Sequence, residues 1–311
     1  MTFLQALELA LPLYLLILIG YLLARFGNWP DAVPEALSRF VFAIAIPAML
    51  FALTSDLTRL PPLDLRVLVA YFGGCLLVFG AARLLARWLF RHDGVEQTVF
   101  GMGATYGNTV MLGLPIAKAA IGEAAVPSLA MVLVTNALVM WTLATVSVEW
   151  ARGGRSTRRA MLATLRSVVS NPVVASILIG SAWSLGGLTM PEPVVATLNL
   201  LGQSAVPLAL VTAGFGLAAY RIREGIREAA AITVLKLIAL PLLVWMIARL
   251  TGLPALETQV VVLLASIALG VNGYLMAREF KALQGPIGTA LLLSTIGSAA
   301  TVPMVLLLTG P

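Results

Sequence analysis

Long apolar runs, each about one membrane thickness in helical length, alternate along the chain with short polar gaps. About 20 consecutive apolar residues cross a ~30 Å hydrocarbon core as α-helix. Ten segments reach that length: roughly 3–25, 34–55, 65–90, 96–117, 124–149, 168–187, 192–219, 228–250, 256–279 and 286–309. Pro30, Pro61, Pro62, Pro191 and Pro193 punctuate the gaps. The pattern predicts an all-α polytopic membrane protein with ten transmembrane helices. The first segment has no Lys or Arg before Arg25, so it is expected to remain as the first membrane helix rather than to be cleaved as a signal peptide.

Within the fourth segment the pattern fails. GATYGNTVMLGLP, residues 103–115, holds three glycines, an asparagine, two threonines and a proline at mid-span. These are poor helix formers. Asn108 lies about 12 residues from the segment's start, roughly 18 Å at helical rise, near the middle of the bilayer. The ninth segment repeats the anomaly around Asn272, about 15 residues in. Interrupted backbone at that depth is tolerated only where protein or a polar cavity satisfies its N–H and C=O groups.

Composition reinforces the membrane reading. The chain of 311 residues is 60% hydrophobic and 11% charged, whereas soluble domains carry about 25% charged residues. The distribution of charge then orients it. The odd-numbered loops hold fourteen Lys and Arg, from Arg25 through Arg83, Arg152, Arg221 and Lys281. The even-numbered loops hold four: Arg59, Arg66, Lys118 and Arg249. Positive charge stays cytoplasmic. The odd loops, including the basic loop 150–167, are therefore expected inside, and both termini outside. The single cysteine, Cys75, leaves no internal disulfide.

The halves flanking the basic loop resemble each other. AIPAMLFAL around Pro47 recurs as AVPLALVTAG around Pro207, 160 residues on; GNTVMLG around Asn108 recurs as VNGYLMA around Asn272, 164 residues on. The expectation is two five-helix repeats, 1–149 and 168–311. Five is odd, so the second repeat enters the membrane inverted, an architecture common in secondary transporters. Helices 4 and 9 then cross as broken helices. Their second halves start near Thr109 and Gly273 and present free N–H groups and positive dipole ends. Such ends favour an anion without a cationic side chain. The candidate substrate-binding residues are Thr105, Tyr106, Gly107, Asn108, Thr109, Asn272 and Gly273. Pro47 and Pro207 are expected to kink helices lining the cavity. Pro115 closes the broken stretch of helix 4, and Lys118 marks its outer end. Lys236 is a charge inside the eighth span, hence a functional candidate: it attracts the anion, pairs with a helix C-terminus, or snorkels to the inner headgroups.

GNTVMLGLP resembles the signature of the auxin efflux carrier family. So do IPAMLF in segment two, SNPVVASILIG in segment six, AVPLALVTAG in segment seven and ALGVNGYLMAREF in segment nine. The resemblance spans essentially the whole chain. It implies ten helices in two inverted repeats, a scaffold of helices 1, 2, 6 and 7, and a moving part of helices 3–5 and 8–10. It also implies a small organic carboxylate, such as malonate or malate, bound at the crossover. A proton is the candidate coupling ion and a homodimer through the scaffold the candidate assembly. The plant carriers have proline beside the helix 4 asparagine; here Gly107 precedes Asn108 and Val271 precedes Asn272. The sequence leaves open whether glycine alone breaks the helix or only bends it. That departure, with the absence of the long plant loop, points to a bacterial inner-membrane member and away from auxin.

The leading expectation is a secondary carrier working by alternating access across the lipid bilayer. A sodium-coupled relative of the bile acid symporters is a rival, although neither broken span has an acidic residue at its centre. A sensor of organic anions that does not transport is another. No metal-ligand cluster, nucleotide loop or catalytic dyad is present, and GMGATYG follows no strand. Neither an enzyme, a cofactor nor a nucleic-acid partner is expected.

Overall fold

A computed structural model describes residues 3–27, 29–30, 32–56, 64–152, 170, 172–218 and 225–309, with side chains from residue 11 onward except that of Ala137. Residues 153–167 of the basic loop lie outside this set. Among the described residues the secondary structure is helical, with one isolated β-bridge.

Among the described residues twelve helices follow one another. They are α1 (Phe3–Phe26), α2 (Ala32–Thr54), α3 (Arg66–Leu89), α4 (Gly94–Thr105), α5 (Thr109–Ile121), α6 (Val126–Ala151), α7 (Pro172–Leu185), α8 (Glu192–Ala218), α9 (Ile226–Leu250), α10 (Ala255–Ser266), α11 (Val271–Glu279) and α12 (Gln284–Thr309). Six of these runs, α2, α3, α6, α8, α9 and α12, are by themselves long and apolar enough to cross a membrane. Shorter apolar stretches, Leu11–Phe26, Thr109–Ile121, Pro172–Leu185 and Ala255–Ser266, accompany them. The fourth and ninth apolar segments of the sequence are each two helices, α4/α5 and α10/α11.

Proline shapes three helices in the same way. Val41–Ala45, Thr109–Gly113 and Leu235–Ala239 are π-helical, and each ends two residues before a proline: Pro47, Pro115 and Pro241. Proline lacks an N–H, and its ring crowds the carbonyl four residues earlier. A wide turn relieves that crowding: the residue before each proline donates its N–H five residues back, as Ile46 does to Val41 and Leu114 to Thr109.

Packing is densest within two groups. In one, α8 lies along α1 and α2, and α2 also packs on α7; in the other, α3, α4, α9, α10 and α12 pack together with α6 against α4. The α1–α8 contact is nearly backbone to backbone. A Cβ on Gly20 would lie 2.0 Å from the Val211 carbonyl oxygen, and one on Gly214 would lie 2.0 Å from that of Ile17. Small residues permit this approach, and dispersion between the close helix faces rewards it. Outside, Trp88 and Trp150 stand largely exposed beside Arg87 and Arg152, as interfacial anchors do.

The helix ends also group. Arg66 Nη1, at the start of α3, donates to the Gly252 carbonyl after α9 at 2.7 Å. Arg66 is held by a bidentate pair with Asp64, Nε donating to Oδ1 at 3.0 Å and Nη2 to Oδ2 at 2.7 Å. At the opposite set of ends, Arg152 Nη2 reaches the Phe280 carbonyl after α11 at 3.4 Å.

Candidate functional site

The fourth segment breaks completely. α4 stops at Thr105, its end marked by the Tyr106 N–H donating to the Met102 carbonyl at 2.8 Å. Tyr106 is extended (φ −76°, ψ 97°) and Asn108 is non-helical (φ −78°, ψ 59°) before α5 begins at Thr109. In the ninth segment α10 stops at Ser266 and α11 starts at Val271, with Ile267 and Gly270 extended between them. Glycine therefore suffices without the plant proline, because a partner strand takes up the freed backbone.

That partner is the other break. Gly107 and Leu269 pair as an antiparallel bridge. The Asn108 N–H donates to the Ala268 carbonyl and the Gly270 N–H to the Tyr106 carbonyl, each at 2.9 Å. Two hydrogen bonds satisfy four backbone groups that hydrocarbon would leave unpaired, which costs several kcal/mol per group. Ser294 Oγ of α12 accepts the Leu269 N–H at 3.0 Å. Gly270 is the residue the bridge cannot replace: an added Cβ would sit 2.9 Å from the Gly107 carbonyl oxygen. At Gly107 the nearest atoms would be at an ordinary 3.4 Å.

A cavity of about 150 Å³ lies on the crossing. The first turns of both second half-helices line it, Thr109–Met111 and Val271–Asn272, with Tyr106, Gly107 and Asn108. Those turns carry N–H groups that have no intrahelical acceptor. A second cavity of about 390 Å³ shares Phe42, Asn108, Met111, Val271 and Asn272 with it and continues past Thr212 and Thr295 to Ser38, Pro34 and Glu35. The crossing therefore opens toward the α2 N-terminal end.

Side chains predicted as one site divide here. Asn108 lines both cavities, is half-buried, and makes no capping hydrogen bond to α5. Asn272 lines both as well; its Nδ2 donates to the Tyr106 hydroxyl at 3.1 Å. Asn272 is not in the break, however. It is the second residue of α11, and the residue in the register position of Asn108 is Gly270, so α11 starts two residues before the expected Gly273. Thr109 lines the small cavity, with its Oγ1 3.5 Å from Asn136 Nδ2. Gly107 lines it through its backbone.

Two expectations need correction. Thr105 is buried away from both cavities, with its hydroxyl donating back to the Gly101 carbonyl at 2.8 Å. Gly273 is buried against Leu269 inside α11 and lines neither cavity. The helices that carry Pro47 and Pro207 do line the larger cavity, α2 through Ser38 and Phe42 and α8 through Thr212 and Leu217, while the side chains of Pro47, Pro207 and Pro115 line neither cavity. Of the three alternatives for Lys236, pairing with a helix C-terminus holds and snorkelling does not. The lysine is fully buried in a π-turn of α9, and its Nζ donates to the Ala265 carbonyl at 2.6 Å, so it pairs with the C-terminus of α10.

Asn136 of α6 was missed. It is buried and its amide lines the small cavity. The signal was legible: Asn136 is a lone amide in the apolar run VLVTNALVMW, and polar groups inside spans face protein or a cavity.

Residues 5–306 match a protein family described as membrane transport protein. A relative from Rhizobium meliloti (strain 1021), named "Putative malonate transporter", is 28% identical over 300 residues, 94% of this chain and 92% of that protein. An uncharacterized transporter of Methanothermobacter thermautotrophicus is 25% identical over 309 residues, 98% of each chain. The uncharacterized transporter YfdV of Escherichia coli (strain K12) is 24% identical over 308 residues, 94% of each.

Proposed function

The chain belongs to the membrane transport protein family, the auxin efflux carriers that its motifs resemble, and on that premise we propose that it carries a small organic carboxylate across the bacterial inner membrane by alternating access. One observation carries this reading: two half-helix N-termini and the amides of Asn108, Asn136 and Asn272 converge on one cavity at the crossing. Free N–H groups, positive dipole ends and amide donors suit a carboxylate. The small cavity, together with the name of the Rhizobium relative, makes malonate the first substrate to test.

The architecture proposed is ten spans in two inverted five-helix repeats, 1–149 and 168–311, joined by the cytoplasmic loop 150–167. The paired breaks support it: α4 and α10 end at Thr105 and Ser266, and α5 and α11 begin at Thr109 and Val271. Contacts between loops predicted on one side, Arg66 with Gly252 and Arg152 with Phe280, support the alternating topology; the external placement of the termini rests on the charge bias of the loops. In that topology the larger cavity opens to the cytoplasm. The group of α1, α2, α7 and α8 serves as scaffold, and the group bearing the crossing moves past it.

Flux of labelled malonate into proteoliposomes tests the function. The expected result is saturable uptake, driven by a pH gradient and indifferent to sodium. Malonate binding without uptake identifies a sensor instead. Strict sodium dependence identifies the symporter rival.

A further inference from the structure

We propose that Lys236 sets the charge preference of the crossing: its ammonium cancels the negative end of α10, leaving the two helix N-termini to act on the substrate unopposed. The inference rests on the carboxylate-site reading above and goes one step past it.

Crossed broken helices bring four ends together. The N-termini at Thr109 and Val271 favour an anion; the C-termini at Thr105 and Ser266 oppose it. Left alone, these contributions largely cancel. Lys236 Nζ donates to the Ala265 carbonyl at 2.6 Å, one residue from the end of α10. Thr301 Oγ1 donates to the next carbonyl, Ser266, at 3.1 Å. The end of α10 is thus capped twice, once by the Lys236 amine. The end of α4 has only neutral partners, the Thr105 hydroxyl and the Tyr106 N–H.

The ammonium also lies close behind the bridge. A Cβ on Gly107 would be 3.4 Å from Nζ, yet Lys236 lines neither cavity. Its charge reaches the site through the backbone, not by contact. The helices packed on its π-turn are α3, α4, α10 and α12, besides the rest of α9. Their carboxylates among the described residues are Glu96, Glu257 and Glu228, all in first turns. Eight helical residues separate Glu228 from Lys236 and Glu257 from Ala265, about 12 Å each. Glu96 faces His92 Nδ1 at 3.2 Å. Among the described residues no carboxylate pairs with Lys236, so a bound anion supplies the nearest opposite charge, and each negative charge on the ligand gains from it.

The test compares malonate, almost wholly a dianion at pH 7, with monomethyl malonate, a monoanion of the same skeleton. Affinities are measured by calorimetry on the purified full chain. The wild type should bind malonate more tightly by on the order of tenfold. Lys236→Gln, which retains an N–H donor without the charge, should erase most of that preference, while Lys236→Arg retains it. Lys236→Met supplies the comparison if the glutamine variant does not fold. Equal wild-type affinities for the two ligands overturn the proposal without any variant. So does a Lys236→Gln variant that loses both ligands by the same factor, the result expected of a merely structural lysine. If Asn108→Ala abolishes binding while the preference survives Lys236→Gln, this inference falls and the site stands. If the wild type binds neither ligand, both fall.

Discussion

Asn272 and Tyr106, 166 residues apart, meet at the crossing through a 3.1 Å hydrogen bond from the Asn272 amide to the Tyr106 hydroxyl. The bond joins the first turn of α11 to the extended end of α4, so the same residues that line the cavity also hold its two walls together. A carboxylate entering the cavity competes for that amide. The Asn108 amide, which caps nothing, is free to meet it directly.

Asn108→Ala and Asn272→Ala should each lower malonate binding and uptake by about tenfold or more, the worth of a hydrogen bond to a charged group. Melting temperature should change little for Asn108→Ala and fall for Asn272→Ala, which also loses the bond to Tyr106. Wild-type flux in both variants removes the crossing as the site.

Asn136→Asp puts a carboxylate into the small cavity. The expected outcome is loss of anion binding with the helix content retained, since like charges repel strongly in a poorly solvated cavity. Circular dichroism and calorimetry on the same preparation check it.

Gly270→Ala should abolish transport and destabilise the protein by about 1–3 kcal/mol, because its Cβ meets the Gly107 backbone. Gly107→Ala should be tolerated, since it meets only van der Waals contacts. The order of the two effects, read by flux and thermal denaturation, is the discriminating result.

Asp93 caps α4: its Oδ1 accepts the N–H groups of Val95 at 2.9 Å and Glu96 at 2.8 Å, and Glu96 Oε2 accepts the Asp93 N–H at 3.1 Å. Asp93→Ala should cost about 1 kcal/mol. Asp93→Ser should restore most of it, measured by denaturation in detergent.

Asp64 lies before α3, and its hydrogen bonds from Arg66 hold its carboxyl below the usual carboxylate range. A carboxyl lowered in the folded state adds stability above its unfolded pKa, about 3.9, and loses it as pH falls through the folded value. Asp64→Asn should therefore lower the melting temperature slightly at neutral pH, and match the wild type in strong acid. The effect stays small because the pair is exposed.

Much of the fold was legible in the sequence because its causes are local. The third apolar run, read as 65–90, is helix Arg66–Leu89, and the seventh, read as 192–219, is Glu192–Ala218. Apolar length decides such helices, and glycine beside asparagine decides where the fourth run fails. The break at 105–109 follows from residues that lie within it, whereas the break at 266–271 precedes the Asn272 and Gly273 that signalled it. The sequence by itself thus determined the helices, the interruptions and the membrane-transport class.

Tertiary packing decided which side chains serve the site. Asn108 and Asn272 read as equivalents at an offset of 164, yet the bridge between Gly107 and Leu269 sets the offset at 162, so the counterpart of Asn108 in the second break is Gly270. Thr105, two residues before that bridge, turns back onto its own helix, while Asn136, 28 residues beyond Asn108, reaches the cavity. Lys236 reads as a lone charge until α10 brings it a carbonyl. Each outcome depends on contacts between segments far apart in the chain. Local propensity carries no information about those, because the depth and rotation of one helix are set by the helices packed against it.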